Sequence, residues 1–309
     1  MYQTFRVRDV TVHRIVELTA PFDPALDMLA GLTLETLDAH RPHLQPGSLD
    51  SEDRFVLSYQ CYLVETPREL ILIDSCIGNG KHRPRPEWHM KSDSTFLDTL
   101  DHAGFGVNDI DWVVPTHLHH DHVGWNTCAA PDGGWVPTFP QARYVFGATE
   151  LAATEHIHRH EKVLPAYLDS VVPIVKADQA EIVDGNFRIG DHVRLLPTPG
   201  HTDGHVAVRV GDGSDNFVMS GDLLHTELQI RNPALSFARD RDPRRSAETR
   251  RAFLERYSDT DTLLCTGHLP SRSVGRVVRE GNGFAFVPVD AEPAPRDRLD
   301  RSPAPGTVR

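Results

Sequence analysis

Apolar positions in the first quarter of the chain alternate with a period of two or run on without a break, which marks strands rather than helices. Val10–Val16, Phe55–Glu65 and Leu70–Asp74 are such runs. Thr66-Pro67-Arg68-Glu69, between the last two, predicts a hairpin that feeds a buried strand. The period then changes. Over Ser92–Gly104, residues Phe96, Leu97, Leu100 and Ala103 share a helical face, Ser92 or Ser94 is placed to cap it, and Gly104 ends it. Asp111–Pro115 is a short apolar strand that runs into a histidine-rich loop. Further strands are predicted at Ala142–Phe146, Val193–Leu196, Val206–Val210, Phe217–Ser220 and Thr262–Cys265. A second helix is predicted at Arg244–Tyr257, with Ser246 as its cap and Phe253, Leu254 and Tyr257 facing inward. Strands first, then helices alternating with strands, predict helices packed outside sheets.

Two stretches show neither period. Ala20–Asp50, rich in Leu and Pro, reads as a long surface loop or as a lid over a substrate mouth. Ala291–Arg309 holds Pro, Ala, Arg and Asp with almost no large apolar residue, and reads as a disordered tail. That leaves 1–290 as one domain.

Composition narrows the function classes. The 309 residues carry 32 Lys+Arg against 44 Asp+Glu, a formal charge of −12, so binding to a phosphate backbone is not expected. No apolar run approaches the ~18–20 residues of a membrane helix, and the N-terminus lacks the pattern of a signal peptide. Cys61, Cys76, Cys128 and Cys265 lie far apart without a CxxC pair, which fits reduced cysteines in a cytoplasmic protein.

The chain also has 18 histidines, several of them clustered. Thr116-His117-Leu118-His119-His120-Asp121-His122 places imidazoles and a carboxylate where a tight loop can aim them at one point. Such donors suit zinc and other first-row divalent ions. On this chain's own usage H-x-H-x-[DE]-H is expected by chance roughly 0.009 times, so the match is specific. His201 follows the strand Val193–Leu196 through a Pro-Gly turn, Asp222 follows Phe217–Ser220, and His268 follows Thr262–Cys265. Ligand-type residues thus recur at one end of successive strands.

His117-x-His119-x-Asp121-His122, then His201, Asp222 and His268, resembles the complete ligand set of the metallo-β-lactamase superfamily, over roughly Val10 to Val289. The resemblance implies an αββα sandwich of the α/β class with a two-metal site at its top edge. His117, His119 and His201 would hold one metal, Asp121, His122 and His268 the second, and Asp222 would bridge them. Asp74 would orient ligands from behind. Zinc is the expected metal, with Mn, Fe and Co as alternatives.

Within the superfamily, Asp222 and His122 disfavour the secreted β-lactamases, and His119 disfavours the flavo-di-iron proteins. The acidic charge and the spacing of His201 and Asp222 leave no room for a nuclease's inserted domain or basic arm. The chain resembles the N-acyl homoserine lactonases and the methyl parathion hydrolases. Gly221-Asp222-Leu223-Leu224-His225, Asn232-Pro233-Ala234, Asp240-Arg241-Asp242, His268-Leu269-Pro270 and the closing strand Gly283–Val289 carry the second likeness. Where those lactonases keep a Tyr, three residues after the bridging Asp, this chain has His225.

The implied reaction is hydrolysis of a lactone or small ester by a metal-bridging hydroxide, with phosphotriester hydrolysis on the same site as the alternative. A thioester hydrolase or a catalytically silent metal-binding protein is less favoured. His225 is the candidate oxyanion donor and Asp121 the candidate proton donor to the leaving alkoxide. A small-molecule ester or lactone is the expected partner, and a homodimer is compatible with the reading.

Among the other histidines, His205 is expected to brace the His201 loop and His120 to stay outside the ligand pattern. His82 and His89 are read as solvated or as lining the mouth. His156, His158 and His160 are read as a solvated helical face. Trp125, Trp135 and Phe139 are read either as an apolar substrate wall or as loop packing.

Overall fold

Most of the predicted strands have no polar side, and the computed structural model explains why: they are buried on both faces. It describes residues 2–93, 95–211 and 216–292. Two seven-stranded sheets face each other. The first contains β1 (Tyr2–Val7), β2 (Val10–Pro24), β3 (Arg54–Glu65), β4 (Leu70–Ile73), β5 (Trp112–Val114), β6 (Arg143–Gly147) and β7 (Ala180–Val183). The second contains β8 (Arg188–Ile189), β9 (Val193–Pro197), β10 (Val206–Val210), β11 (Phe217–Met219), β12 (Leu263–Cys265), β13 (Val274–Glu280) and β14 (Gly283–Pro288). In each sheet the spatial order follows the chain order. β4, β5, β6 and β7 pair in parallel, as do β11 and β12, and the remaining neighbours are antiparallel.

Alternate residues of one strand enter different cores. Val12, Tyr62, Val64, Ile71, Ile73, Val114 and Val145 meet Val193, Leu195, Val208, Phe217, Met219 and Cys265 between the sheets. Their neighbours Ile15, Cys61, Leu63, Leu72, Val113, Tyr144 and Phe146 point the other way, onto Phe96 and Leu100 of helix α1 (Thr95–His102). On the far side, Ala207, Val218 and Leu264 pack against Phe253, Leu254 and Tyr257 of a helix over Pro243–Tyr257. Helix, sheet, sheet, helix is the αββα arrangement of the α/β class. A strand with an apolar core on both faces reads as a continuous apolar run.

Three local expectations are corrected. The helix over 243–257 is capped by Asp242, whose side chain accepts from Arg245 N at 3.0 Å, with Pro243 in its first turn. Ser246, expected as the cap, is instead fully buried and accepts from Arg250. The first helix begins at Thr95 rather than Ser92, with Asp93 Oδ1 accepting from Thr95 N at 3.0 Å; Ser94 lies outside the described residues.

The third correction is 20–50, which is not a structureless loop. β2 runs on to Pro24, Ala25–Met28 forms one helical turn, Leu29–Ala30 pairs with Ser236–Phe237, and Leu34–His40 is a helix capped by Thr33. Ala25, Met28, Leu29 and Leu37 share a fourth apolar cluster with Phe55, Leu57, Tyr59, Trp88 and Leu235. Elements of two to seven residues are too short to display a period. Of the presumed tail, Glu292 N bonds to Thr4 O at 2.8 Å, and 293–309 lie outside the described residues. No helix among the described residues is long and apolar enough to cross a membrane. All four cysteines are free, and Cys61, Cys76 and Cys265 are buried.

Two clusters of buried charge hold the segment after β4 in place. Glu17, fully buried, takes Ile77 N at 2.7 Å, Trp125 Nε1 at 2.7 Å and Lys91 Nζ at 2.8 Å. Arg83 forms a two-pronged pair with Asp169 at 2.7 and 2.9 Å. Gly124 makes the closest backbone approach there, since a Cβ on it would lie 1.9 Å from Ile77 C and O. Gly124→Ala is therefore expected to destabilise the fold by about 1–3 kcal/mol, read as a lower thermal unfolding midpoint.

Candidate metal centre

The strand ends place the donors. Asp74 follows β4, the loop 116–122 follows β5, His201 follows β9, Asp222 follows β11 and His268 follows β12. The three second-sheet strands run in one direction, so their loops gather at one edge of the sandwich. Gly221 makes the turn into Asp222: its φ is +50°, and a Cβ there would lie 2.6 Å from His205 Nε2.

Asp222 is the centre of the arrangement. It is 4% exposed and five imidazole Nε2 atoms approach its carboxylate. Oδ2 lies 3.2 Å from His201, 3.6 Å from His117 and 3.2 Å from His225. Oδ1 lies 2.8 Å from His268 and 3.0 Å from His122. His119 joins the first set through Nδ1, which is 2.9 Å from His117 Nε2 and 3.0 Å from His201 Nε2. Asp121 Oδ2 joins the second, 3.8 Å from His122 and 3.9 Å from His268. The donor atoms of His117, His119, His201 and Asp222 lie within 4.8 Å of one another, and so do those of Asp121, His122 and His268.

Each set suits a divalent cation. Nitrogen and carboxylate oxygen are suitable first-row donors, and the buried His122 Nε2 faces only other members of the donor sets, Asp222 Oδ1 at 3.0 Å and Asp121 Oδ2 at 3.8 Å. Burial and neighbouring imidazoles push His117 and His119 well below the usual histidine range, which keeps them in the neutral, cation-binding form. Burial opposes ionisation of Asp222, yet the imidazoles of His122, His268, His225 and His117 hold its carboxyl well below the usual carboxylate range.

The opposite ring nitrogens are fixed from behind. His122 Nδ1 meets Asp74 Oδ2 at 2.9 Å, His201 Nδ1 meets Asp240 Oδ1 at 2.9 Å, and His268 Nδ1 meets Ser58 O at 2.9 Å. His117 Nδ1 meets Thr116 Oγ1 at 3.1 Å, and Asp74 Oδ1 accepts from Thr116 N at 2.7 Å. Such partners set the tautomer that turns the other nitrogen toward a cation. The buried Glu150 ties two ligand-bearing loops, accepting from Leu118 N at 3.1 Å and Gly204 N at 3.0 Å. His205 Nε2 accepts from Asp222 N at 3.0 Å, and its Nδ1 meets Thr198 Oγ1 at 2.8 Å. It therefore braces Asp222 as well as the His201 loop.

A sequence profile of the metallo-β-lactamase superfamily matches residues 54–268. The chain belongs to that superfamily. An N-acyl homoserine lactonase from a Bacillus species is 26% identical over 205 residues, 61% of this chain and 71% of its own. A probable metallo-hydrolase of Mycobacterium tuberculosis is 27% identical over 255 residues, 74% of this chain and 79% of its own. Among solved structures, the hydrolase AbOPH superposes with a TM-score of 0.79 at 20% identity, covering 94% of this chain and 98% of its own. AidC, described as a dizinc quorum-quenching lactonase, superposes with a TM-score of 0.76 at 19% identity and the same coverage. At that identity the superpositions speak for the metallo-β-lactamase fold. As a member of this superfamily the chain is a metal-dependent hydrolase.

A cavity of about 670 Å³ opens over the cluster. Its apolar wall is Phe22, Leu57, Trp88, Leu118, Ile157 and Phe237. Trp125 and Phe139, read as candidates for such a wall, belong instead to the core beneath the first sheet, where Trp125 stacks on Phe96. Trp135 covers the Lys81 ammonium at 3.6 Å. A short Trp/Phe-rich stretch gives no clue to which side of the loop faces the core.

His120 lines the cavity, and burial with the Arg83 charge pushes it down to about 4. His82 and His89 are exposed and face each other at 5.1 Å, away from the cavity lining. His156 and His160 sit 4.8 Å apart on an exposed helical face, and His158 accepts from Leu164 N. Glu150 carries no local sequence signal at all. Asp74→Asn is expected to weaken Zn²⁺ binding beside His122 about 10–100-fold, measured by competition with a chromogenic chelator.

Proposed function

We propose that this protein is a two-cation hydrolase that opens lactones or cleaves small carboxylic esters. His117, His119 and His201 hold one cation, Asp121, His122 and His268 the other, and Asp222 lies between them. One observation carries this reading: the two oxygens of a single buried carboxylate face two separate donor sets. A closed structural site needs four ligands and has no use for a second set. Two bound divalent ions would polarise a carbonyl oxygen and bring the pKa of a water to about 7. Zinc is the expected metal, and Mn, Fe and Co suit the same donors.

The chain's own residues complete the chemistry. His225 is 2% exposed, lies flat on Phe237 at 4.1 Å, and turns Nε2 toward Asp222 Oδ2 at 3.2 Å, while its Nδ1 has no hydrogen-bond partner. Burial holds it below the usual histidine range, so it stands as a neutral donor for the oxygen on which charge develops. Asp121, half-buried at the cavity, would take the proton given up by the attacking water and hand it to the leaving alkoxide. The apolar wall accommodates an apolar substituent beside the ester. The relatives named as lactonases support an ester over a phosphotriester, and the charge of −12 favours a small molecule over nucleic acid.

The test joins elemental analysis to a panel of an aliphatic lactone, an aryl ester and an aryl phosphotriester, with and without chelator. The expected result is two metal equivalents per chain and chelator-sensitive turnover highest on the carboxylic esters. Faster phosphotriester turnover would move the reading to that reaction, and a metal-replete protein silent on the whole panel would end it. Separately, His225→Ala should lower lactone kcat about 100-fold with both metals retained. Unchanged kcat would remove His225 from the reaction.

A further inference from the structure

The helix over 243–257 carries Arg250, a guanidinium with no exposed surface at all. Its Nε donates to Leu223 O at 2.7 Å. One terminal nitrogen donates to Pro233 O at 2.9 Å and Leu235 O at 2.7 Å, and the other to Ser246 Oγ at 2.9 Å. That second nitrogen also lies 3.6 Å from Asp240 Oδ2. Asp240 is the carboxylate whose other oxygen meets His201 Nδ1. We propose that Arg250, acting with Asp240, is a positioning residue for the cation centre, fixing Asp222 and His201 relative to each other from behind. This inference rests on the two-cation reading above.

The geometry supports positioning for two reasons. Leu223 O belongs to the peptide immediately after Leu223's bond to Asp222, in a turn where Asp222 takes φ −86° and ψ 16°. Holding that carbonyl fixes the turn from which the two Asp222 oxygens diverge. Meanwhile Asp240, its side chain buried, meets His201 Nδ1 through Oδ1 at 2.9 Å, which sets the His201 tautomer with Nε2 toward the cation side. Asp222 and His201 belong to the same donor set, yet they are 21 positions apart on different loops. One planar fork of N–H donors bonds the Leu223 carbonyl beside Asp222 and lies 3.6 Å from the Asp240 carboxylate behind His201, a span that a lysine ammonium with three donors on a compact head cannot match.

The experiment compares wild type, Arg250→Lys and Asp240→Asn, each stripped of metal and titrated with Zn²⁺ against a chromogenic chelator. Co²⁺ absorption spectra and apo-protein unfolding are recorded in parallel. The expected result is a 10–100-fold loss of affinity for one of the two Zn²⁺ ions in both variants. Altered Co²⁺ bands should accompany it, with cooperative apo unfolding preserved. Affinity within twofold of wild type and unchanged Co²⁺ bands in folded Arg250→Lys would reduce Arg250 to a core staple and overturn the proposal. Should Arg250→Lys fail to fold, Arg250→Gln, which keeps a side-chain donor but loses the fork, is titrated in its place and read by the same two outcomes. Wild type that binds no pair of Zn²⁺ ions would instead overturn the two-cation reading, so the two failures are distinct.

Discussion

The molecule depends on keeping one carboxylate charged in its interior. Asp222 is only 4% exposed, and an isolated ionised carboxylate buried to that degree would carry a large desolvation cost. Five imidazoles within 3.6 Å offset it. Imidazoles so crowded repel one another when protonated, and burial drives His117 among them, and the neighbouring His119, toward the neutral form. The cluster is thus a buried set of imidazole nitrogens and carboxylate oxygens, the donor types that suit a divalent cation.

Much of the surrounding structure serves to hold that shell still. Asp74, Asp240, Ser58 and Thr116 each fix one ring nitrogen from behind. Glu150 and His205 tie the loops to one another rather than to a cation. Arg14 does the same for the His268 loop: it is fully buried and donates to Leu269 O, Pro270 O and Ser271 O. Buried charge in this protein is accordingly concentrated behind the loops that bear the donors, where loss of one partner would leave another uncompensated.

The cavity combines this polar floor with an apolar wall from several unrelated segments. Phe22 comes from the end of β2, Trp88 from the segment anchored by Glu17 and Arg83, and Phe237 from the short strand paired with Leu29–Ala30. Ion pairs of Asp23 with Arg85 and Arg239 join three of these segments at the rim. The wall is thus assembled from several elements, whereas the floor is set by strand ends, and the two meet where Phe237 stacks on His225.

Apolar periodicity, a local property, was enough to locate most of the core strands and both principal helices, and the local His/Asp spacing singled out the loop 116–122; the αββα class followed from the resemblance those residues carry to the metallo-β-lactamase superfamily. The sequence also placed Asp74 at a strand end. Only the tertiary structure decided that 20–50 folds onto the core, that Asp242 and not Ser246 starts the last helix, and that Trp125 and Phe139 face away from the cavity. It alone revealed Glu150, Asp240 and Arg250 behind the cluster. Their partners lie on other loops, tens of residues away in the chain, and a hydrogen bond between distant segments leaves no spacing in the sequence for a reader to find.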